Sequence, residues 1–204
     1  MKVLILSPYG ESIISSLEKF NDEYVVFQEP VTTEFCKDGK FDFLISYGYR
    51  HIIKYDVLSL FPCKAINLHI SLLPYCRGAH PIFWSILEQK PLGVTIHLLD
   101  EGLDTGNILF QQVTPLFFDS HESFSSLYHK QRLAIEDLFS HSWRYLRSGE
   151  CSGWKQRGSP TMHRARDLND WLGFMPQQWD TSISEFCSLV GISQSLPFKT
   201  KSEP

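Results

Sequence analysis

Asn67 and His69 stand two residues apart at the end of the apolar run Lys64 to His69, and Asp104 follows in an acidic turn with Asp100 and Glu101. In an extended strand, residues i and i+2 face the same side, so the amide and the imidazole can enter one cleft. An Asn amide donates hydrogen bonds without changing its protonation, whereas a His can donate or accept near neutral pH. A carboxylate such as Asp104 could orient the ring, raise its pKa and take a proton through water. One amide donor and one imidazolium donor would together make an oxyanion hole. No G-x-S-x-G elbow is present, so no nucleophile is set for acyl-enzyme chemistry. The set suits direct attack of a bound nucleophile on a carbonyl. Singly, each residue also has a structural reading, as a satisfied polar group at a strand end or as turn chemistry before Thr105-Gly106.

Three residues beyond the strand are candidates to meet a substrate. The Arg77 guanidinium could grip a phosphate, or it could bridge loop carbonyls. Ser71 could touch a substrate or close a turn. His80, in the run Gly78-Ala79-His80-Pro81, is close enough in sequence to contribute. Phe83 and Trp84 read as core. The charged run His163 to Asp167 could meet a diphosphate or a partner subunit, or lie solvated.

The elements that must position these residues follow from periodicity. Val3 to Leu6 is a continuous apolar run, as in a strand buried on both faces. Ile13, Ile14, Leu17 and Phe20 recur at helical spacing, with Ser12 as a candidate cap. Tyr24 to Phe27, Phe41 to Ser46 and Lys64 to His69 read as strands, with a short helix from Tyr55 to Phe61 ended by Pro62. Ile82 to Glu88 is helical. Val94 to Leu99 and Ile108 to Val113 are strands whose short acidic connection makes a local antiparallel pair. A long amphipathic helix runs from Ser123 to about Arg147, with Phe124, Leu127, Leu133, Leu138, Phe139, Trp143 and Leu146 near one stripe. Strands alternating with helices give a three-layer, Rossmann-like α/β domain with a mainly parallel sheet. Residues 1–149 are the expected catalytic domain. Residues 150–204 are a short C-terminal appendage, docked through Trp154, Trp171 and Trp179 and ending in a frayed PFKTKSEP. Ligands of such sheets bind outside the carboxyl ends of the strands, so the loops after Ser46 and His69 should be neighbours, with the acidic turn folded over them.

The chain has 204 residues, a 43% hydrophobic fraction and a formal net charge of −4, which fits an ordinary globular core and gives no basic face for nucleic acid. Its five cysteines are odd in number and scattered, against both a disulfide framework and a clustered metal site. A reducing cytoplasm fits that usage. No apolar window is long enough to span a membrane, and the N-terminal MKVLILSPYG is too short for a signal segment. No metal and no membrane partner are expected.

Asn67-x-His69-x-Ser71-Leu72-Leu73-Pro74, then Arg77-Gly78, then Asp100-Glu101-Gly102-Leu103-Asp104-Thr105-Gly106, resemble the signature of the folate-dependent formyltransferase superfamily. The likeness covers roughly Phe41 to Gln112. Within it, the segment Ser46 to Ile53, together with INLHISLLP and GAHPIFWSILE, looks most similar to the sugar-nucleotide N-formyltransferases. The resemblance implies catalytic roles for Asn67, His69 and Asp104, with N10-formyltetrahydrofolate as formyl donor and co-substrate. It implies a pterin held between the loop after the third strand and the acidic turn, by Tyr47, Gly48, Tyr49, Arg50, Ile52, Leu98, Asp100, Glu101 and Leu103. A nucleotide-linked amino sugar is the expected acceptor, and a homodimer through exposed tail aromatics is one option for assembly. Glycinamide ribonucleotide formyltransferases share a Gly-rich phosphate loop after strand one, where this chain reads Ser7-Pro8-Tyr9-Gly10-Glu11-Ser12. Methionyl-tRNA formyltransferases carry a sizeable further tRNA-binding domain, against a short tail that is not strongly basic here. Formyltetrahydrofolate hydrolysis by the same three residues and non-catalytic binding of folate or sugar are the remaining alternatives.

Overall fold

Every second residue of the first strand faces the same layer, and both layers are apolar. This alternation fixes the architecture of the computed structural model, which describes residues 1–115, 122–150 and 153–192. Eight strands occur among the described residues: β1 (Lys2–Leu6), β2 (Glu23–Phe27), β3 (Phe43–Tyr47), β4 (Ala65–His69), β5 (Arg77–Gly78), β6 (Gly93–Leu98), β7 (Ile108–Val113) and β8 (Met162–His163). Six of them form one sheet in the order β2-β1-β3-β4-β6-β7, while β5 and β8 pair separately. The first four are mutually parallel; β6 runs antiparallel to β4, and β7 antiparallel to β6. The sheet is therefore mixed, its antiparallel half starting where the acidic turn must return the chain to the working edge.

The helices are α1 (Ile14–Glu18), α2 (Thr33–Gly39), α3 (Tyr55–Leu58), α4 (Pro81–Leu87), α5 (Phe124–Leu146) and α6 (Ile183–Leu189), with 3-10 turns at Gly10–Ile13, Ala165–Phe174 and Gln178–Asp180. On one face of the sheet Val3, Ile5, Phe43, Ile45, Ile66, Leu68, Val94 and Ile96 pack against Ile135, Phe139, Trp143 and Leu146 of α5. On the other face Leu4, Leu6, Leu44 and Ala65 meet Cys36 of α2, Val57 and Leu58 of α3, and Phe61 just beyond it. Truncating a wholly buried ring such as Phe139 would cost about 3–5 kcal/mol. The long helix starts where its cap stands: Ser123 accepts from the Ser126 N–H, and Ser126 reaches back to the Ser123 N–H.

Two expectations change, and one helix was not foreseen. Leu133 is exposed, and Ile135 takes its place in the buried stripe of α5, because the stripe follows 3.6-residue spacing from Phe139. Ser12 does not cap α1; its hydroxyl donates to Tyr9 O and to Glu136. α2 lies in a stretch too polar to show helical periodicity, although Thr32 caps it through the Phe35 N–H.

The C-terminal segment shares a core with the main sheet domain. Leu168, Met175, Ile183, Phe186 and Cys187 are buried among Phe83, Trp84, Phe124 and Leu127. Trp171 packs on Phe83, and Trp179 stacks on His80 at 5.3 Å between ring centres. Trp154 is half-exposed, but its backbone pairs with Ile108 in both directions at 2.9 Å. Cys151 and the terminal PFKTKSEP lie outside the described residues.

Candidate active site

In β4 the apolar side chains Ile66 and Leu68 point to α5, so Asn67 and His69 point to the opposite face. β6 repeats the pattern with Val94 and Ile96 against Thr95 and His97. The antiparallel register sets Asn67 beside His97 and His69 beside Thr95. Four polar side chains thus form one block in an otherwise apolar sheet. Thr95 is used structurally: its hydroxyl donates to Ser71 O at 2.7 Å and accepts from Leu73 N–H at 3.2 Å.

Asp104 comes down onto this block from the turn between β6 and β7. Oδ1 accepts from Asn67 Nδ2 at 3.1 Å and lies 3.3 Å from His97 Nε2; Oδ2 accepts from the Gly78 N–H at 2.8 Å and lies 3.6 Å from His69 Nδ1. Its backbone is left-handed, with φ +53°, a conformation Asp tolerates better than most residues and that the surrounding contacts over-determine here. Asp100 behaves differently. It closes the turn internally, accepting from Gly102 N–H at 3.1 Å and Thr105 Oγ1 at 2.6 Å, so it is turn chemistry. The turn is tight at its far end, where a Cβ on Gly106 would lie 1.8 Å from Leu98 O.

Burial works against a charge on Asp104, but His69, His97 and the Gly78 N–H outweigh it and hold the carboxyl well below its ordinary range. His69 moves the other way from the sequence expectation. Burial pushes its pKa below the usual value, the pull of Asp104 offsets only part of that, and His97 lowers it further. The net direction is opposite to the rise expected from Asp104 alone. The His69 tautomer follows from its partners. His69 Nε2 faces the Cys76 carbonyl at 3.3 Å, and a carbonyl only accepts, so Nε2 carries the hydrogen. The Nδ1 lone pair faces Asp104. On His97, Nδ1 lies 2.8 Å from Leu98 O, and Nε2 lies 3.3 Å from both Asn67 Nδ2 and Asp104 Oδ1. One amide therefore lies within reach of both Asp104 and His97, and flipping it would set its oxygen against the carboxylate.

The other candidate residues separate clearly. Ser71 is buried and donates to Tyr75 O at 2.8 Å, so its hydroxyl closes the loop here. The Tyr47 side chain is turned away from the loop. It lies on the α5 face, bonded to Glu136 at 2.8 Å, and only its backbone is available at the loop. Tyr49 is committed to Glu29 O and Val31 N–H, and Gly48 turns the chain at φ +62°. Arg50, Ile52, Glu101 and Leu103 are exposed, Ile52 at 90%, and Leu98 is half-buried. His80 is half-buried on Trp179, and burial lowers its pKa. Arg77 directs Nε and one Nη to Gln156 Oε1 at 3.2 and 2.6 Å. A cavity of about 500 Å³ lies between α3 and the acidic turn, walled by Tyr55, Leu58, Phe61, Leu99 and Asp100 among others. Among the described residues no His, Cys, Asp or Glu cluster could hold a metal ion.

The sequence reading passed over His97, Gly78 as an N–H donor, and Gln156. Thr95-x-His97 repeats the i, i+2 polar spacing of Asn67-x-His69 inside an apolar run, and that repeat was the available signal.

Residues 18–140 match the Formyl transferase family. The chain is 32% identical over 192 residues to the methionyl-tRNA formyltransferase of Clostridium novyi (strain NT), covering 93% of this chain and 60% of that protein. It is 50% identical over 76 residues to that of Anaeromyxobacter dehalogenans (strain 2CP-C), covering 37% of this chain and 24% of that protein. It thus spans at most 60% of the length of these curated relatives. Among solved structures, the formyltransferase PseJ from Anoxybacillus kamchatkensis, in complex with UDP-4,6-dideoxy-4-formamido-L-AltNAc and tetrahydrofolate, superposes with a TM-score of 0.84. That pair is 36% identical, over 91% of this chain and 97% of the other. A sugar N-formyltransferase from Shewanella sp FDAARGOS_354 shares the fold with a TM-score of 0.70 at 21% identity, over 84% and 79% of the two chains. With the family matched over more than half of its length, and with a relative 32% identical across nearly all of it, this chain belongs to the formyl transferase family.

Proposed function

We propose that this chain is an N-formyltransferase that moves the formyl group of N10-formyltetrahydrofolate to the amine of a nucleotide-linked amino sugar. The observation that carries the chemistry is the buried convergence of Asn67, His69 and Asp104 on one polar block. The sugar acceptor is supported by the 36% identity to PseJ over 97% of that chain, whose complex holds a UDP-linked formamido sugar.

The folate supplies an activated formyl carbon and a nitrogen leaving group. Its ring system is expected between the loop after β3 and the acidic turn, Leu98 to Asp104. Ile52 and Leu103, apolar and exposed in the loops on which the ring is expected to rest, would gain cover from it. Within this reading His69 is the proton carrier. The attacking amine must lose a proton as its new C–N bond forms, and a neutral ring can accept it at Nδ1, where Asp104 Oδ2 stabilises the resulting charge. The same proton then goes to the departing nitrogen. Positioned acid–base catalysis of this kind contributes about 10²–10⁴-fold. Asn67 is fixed by Asp104, and its second N–H, held by His97 at the longer distance of 3.3 Å, is the one to hand to the formyl oxygen as charge builds there.

The curated relatives favour a second reading, in which methionyl-tRNA is the acceptor. Initial rates of tetrahydrofolate release, with the formyl donor and a panel of UDP- and dTDP-linked amino sugars, methionyl-tRNA and water alone, distinguish the two. Turnover with an amino sugar and its loss in His69→Ala are expected. Release with methionyl-tRNA only, or with no amine at all, would overturn the sugar reading, and equal rates in wild type and His69→Ala would remove the transferase itself.

A further inference from the structure

The appendage contributes a side chain to the hold on Asp104. Gln156 donates from Nε2 to two carbonyls of the acidic turn, Asp104 O at 2.8 Å and Gly106 O at 2.9 Å. Its Oε1 accepts twice from Arg77, so all the hydrogen-bonding capacity of the amide is spent between the acidic turn and the loop after β4. The flanking chain binds the same two loops. Trp154 pairs with Ile108, Arg77 N–H donates to Thr161 O at 3.0 Å, Cys76 N–H to Thr161 Oγ1 at 2.8 Å, and Ala79 N–H to His163 O at 2.9 Å. Residues 154–163 thus run as a strap across the turn that carries Asp104 and across the loop whose Gly78 N–H binds the same carboxylate. Left-handed backbone at Asp104 needs such support, since any other φ would swing the carboxylate off the histidines.

We propose that Gln156 is a positioning residue for formyl transfer, acting through Asp104 by locking the acidic turn to the loop after β4; the inference rests on the transferase reading above. Gln156 touches neither His69 nor Asn67 in the structure, so its effect must pass through the turn. A displacement of about 1 Å at a reacting group costs on the order of 10²-fold in rate. Gln156→Ala removes the lock, and Gln156→Glu keeps the size and the Arg77 partner while replacing the NH2, with both its N–H donors, by one oxygen that opposes the two carbonyls.

Both variants are expected to lose about ten- to a hundredfold in kcat with KM for donor and acceptor changed by less than about threefold. In the double variants with Asp104→Asn the losses are expected not to multiply, because two residues acting as one unit are non-additive. Should Gln156→Ala not fold, Gln156→Glu carries the test alone. Wild-type kcat in Gln156→Glu, or losses that multiply with Asp104→Asn, would overturn the proposal. The titration of the His69 ring by nitrogen-15 NMR is a readout independent of turnover. That ring faces Asp104, His97 and the Cys76 carbonyl, and Gln156→Glu should move its titration in the direction that Asp104→Asn does. An unmoved titration refutes the lock even if no acceptor turns over, whereas absent turnover with a moved titration refutes only the transferase reading.

Discussion

Asp104→Asn isolates the charge of the carboxylate from its shape. The introduced amide oxygen can accept from the Gly78 N–H and its NH2 can donate to His97 Nε2, but that NH2 no longer accepts from Asn67 Nδ2. What disappears, besides that Asn67 bond, is the negative charge 3.6 Å from His69 Nδ1. At an effective dielectric of ~20, unit charges at that separation attract by about 4–5 kcal/mol. The side chains are only 8% and 9% exposed, so solvent screens little of it. Resting His69 is neutral and gains nothing from that attraction; the gain arises only as the ring takes up the amine proton. The interaction therefore belongs to the transition state, and at ~1.4 kcal/mol per tenfold its loss lowers kcat by about 10³-fold while KM stays near wild type. Initial rates of tetrahydrofolate release at saturating donor and acceptor measure this directly. A kcat within tenfold of wild type in a folded Asp104→Asn protein would refute the role assigned to the pair.

The pH dependence has a definite sign. His69 is held below its ordinary 6.5 and Asp104 below its ordinary 3.8, so in both cases the unfolded chain binds the proton first; thermal stability should fall as pH drops from 6.5 and fall again below 3.8, with no slope from these groups above neutrality. The same depressed His69 places the acid limb of kcat below pH 6.5, and a limb above 7 would contradict a neutral proton acceptor. Gly78→Ala sets a Cβ 2.3 Å from His163 O at a φ of +87°, so it should break the β5–β8 pair, move the N–H that binds Asp104, and lower both kcat by more than about tenfold and the melting temperature. Asp22, buried and bonded to Arg147 at 2.6 Å and to Trp143 Nε1 at 3.0 Å, ties the start of β2 to the end of α5 away from the site. Asp22→Ala should cost about 2–4 kcal/mol in urea denaturation, less than a wholly buried pair because Arg147 reaches solvent, with turnover unchanged.

The elements that position the site were legible because their burial is one-dimensional. Val3 to Leu6 is apolar on both faces, and α5 keeps its 3.6-residue stripe and its Ser123 cap, so pattern and structure agree to within a residue. α2 was not legible: Cys36 is its one fully buried residue, and a helix that inserts so little leaves no stripe to read. β5 and β8 are two residues each, below the length at which alternation exists, and their pairing joins segments more than eighty residues apart.

The site shows the same division more sharply. Asn67 and His69 were legible as a pair because one strand sets them on one face. Asp104 was legible only through its resemblance, since by local rules it is a turn residue like Asp100, and nothing in the turn says which carboxylate faces inward. The left-handed φ of Asp104 and the N–H of Gly78 decide that, and both are tertiary. His97 could have been found by noticing that two neighbouring strands each interrupt an apolar run with polar residues at i and i+2. In an antiparallel pair such interruptions cost burial energy unless they satisfy one another, so their coincidence is itself an argument for a shared polar block. Gln156 had no such signal. It lies in an irregular segment with no periodicity, and its four hydrogen bonds become visible only once the strap is laid across both loops. The groups that perform the chemistry sit on regular elements and leave a pattern, whereas the group proposed to hold them in register sits on irregular chain and leaves none.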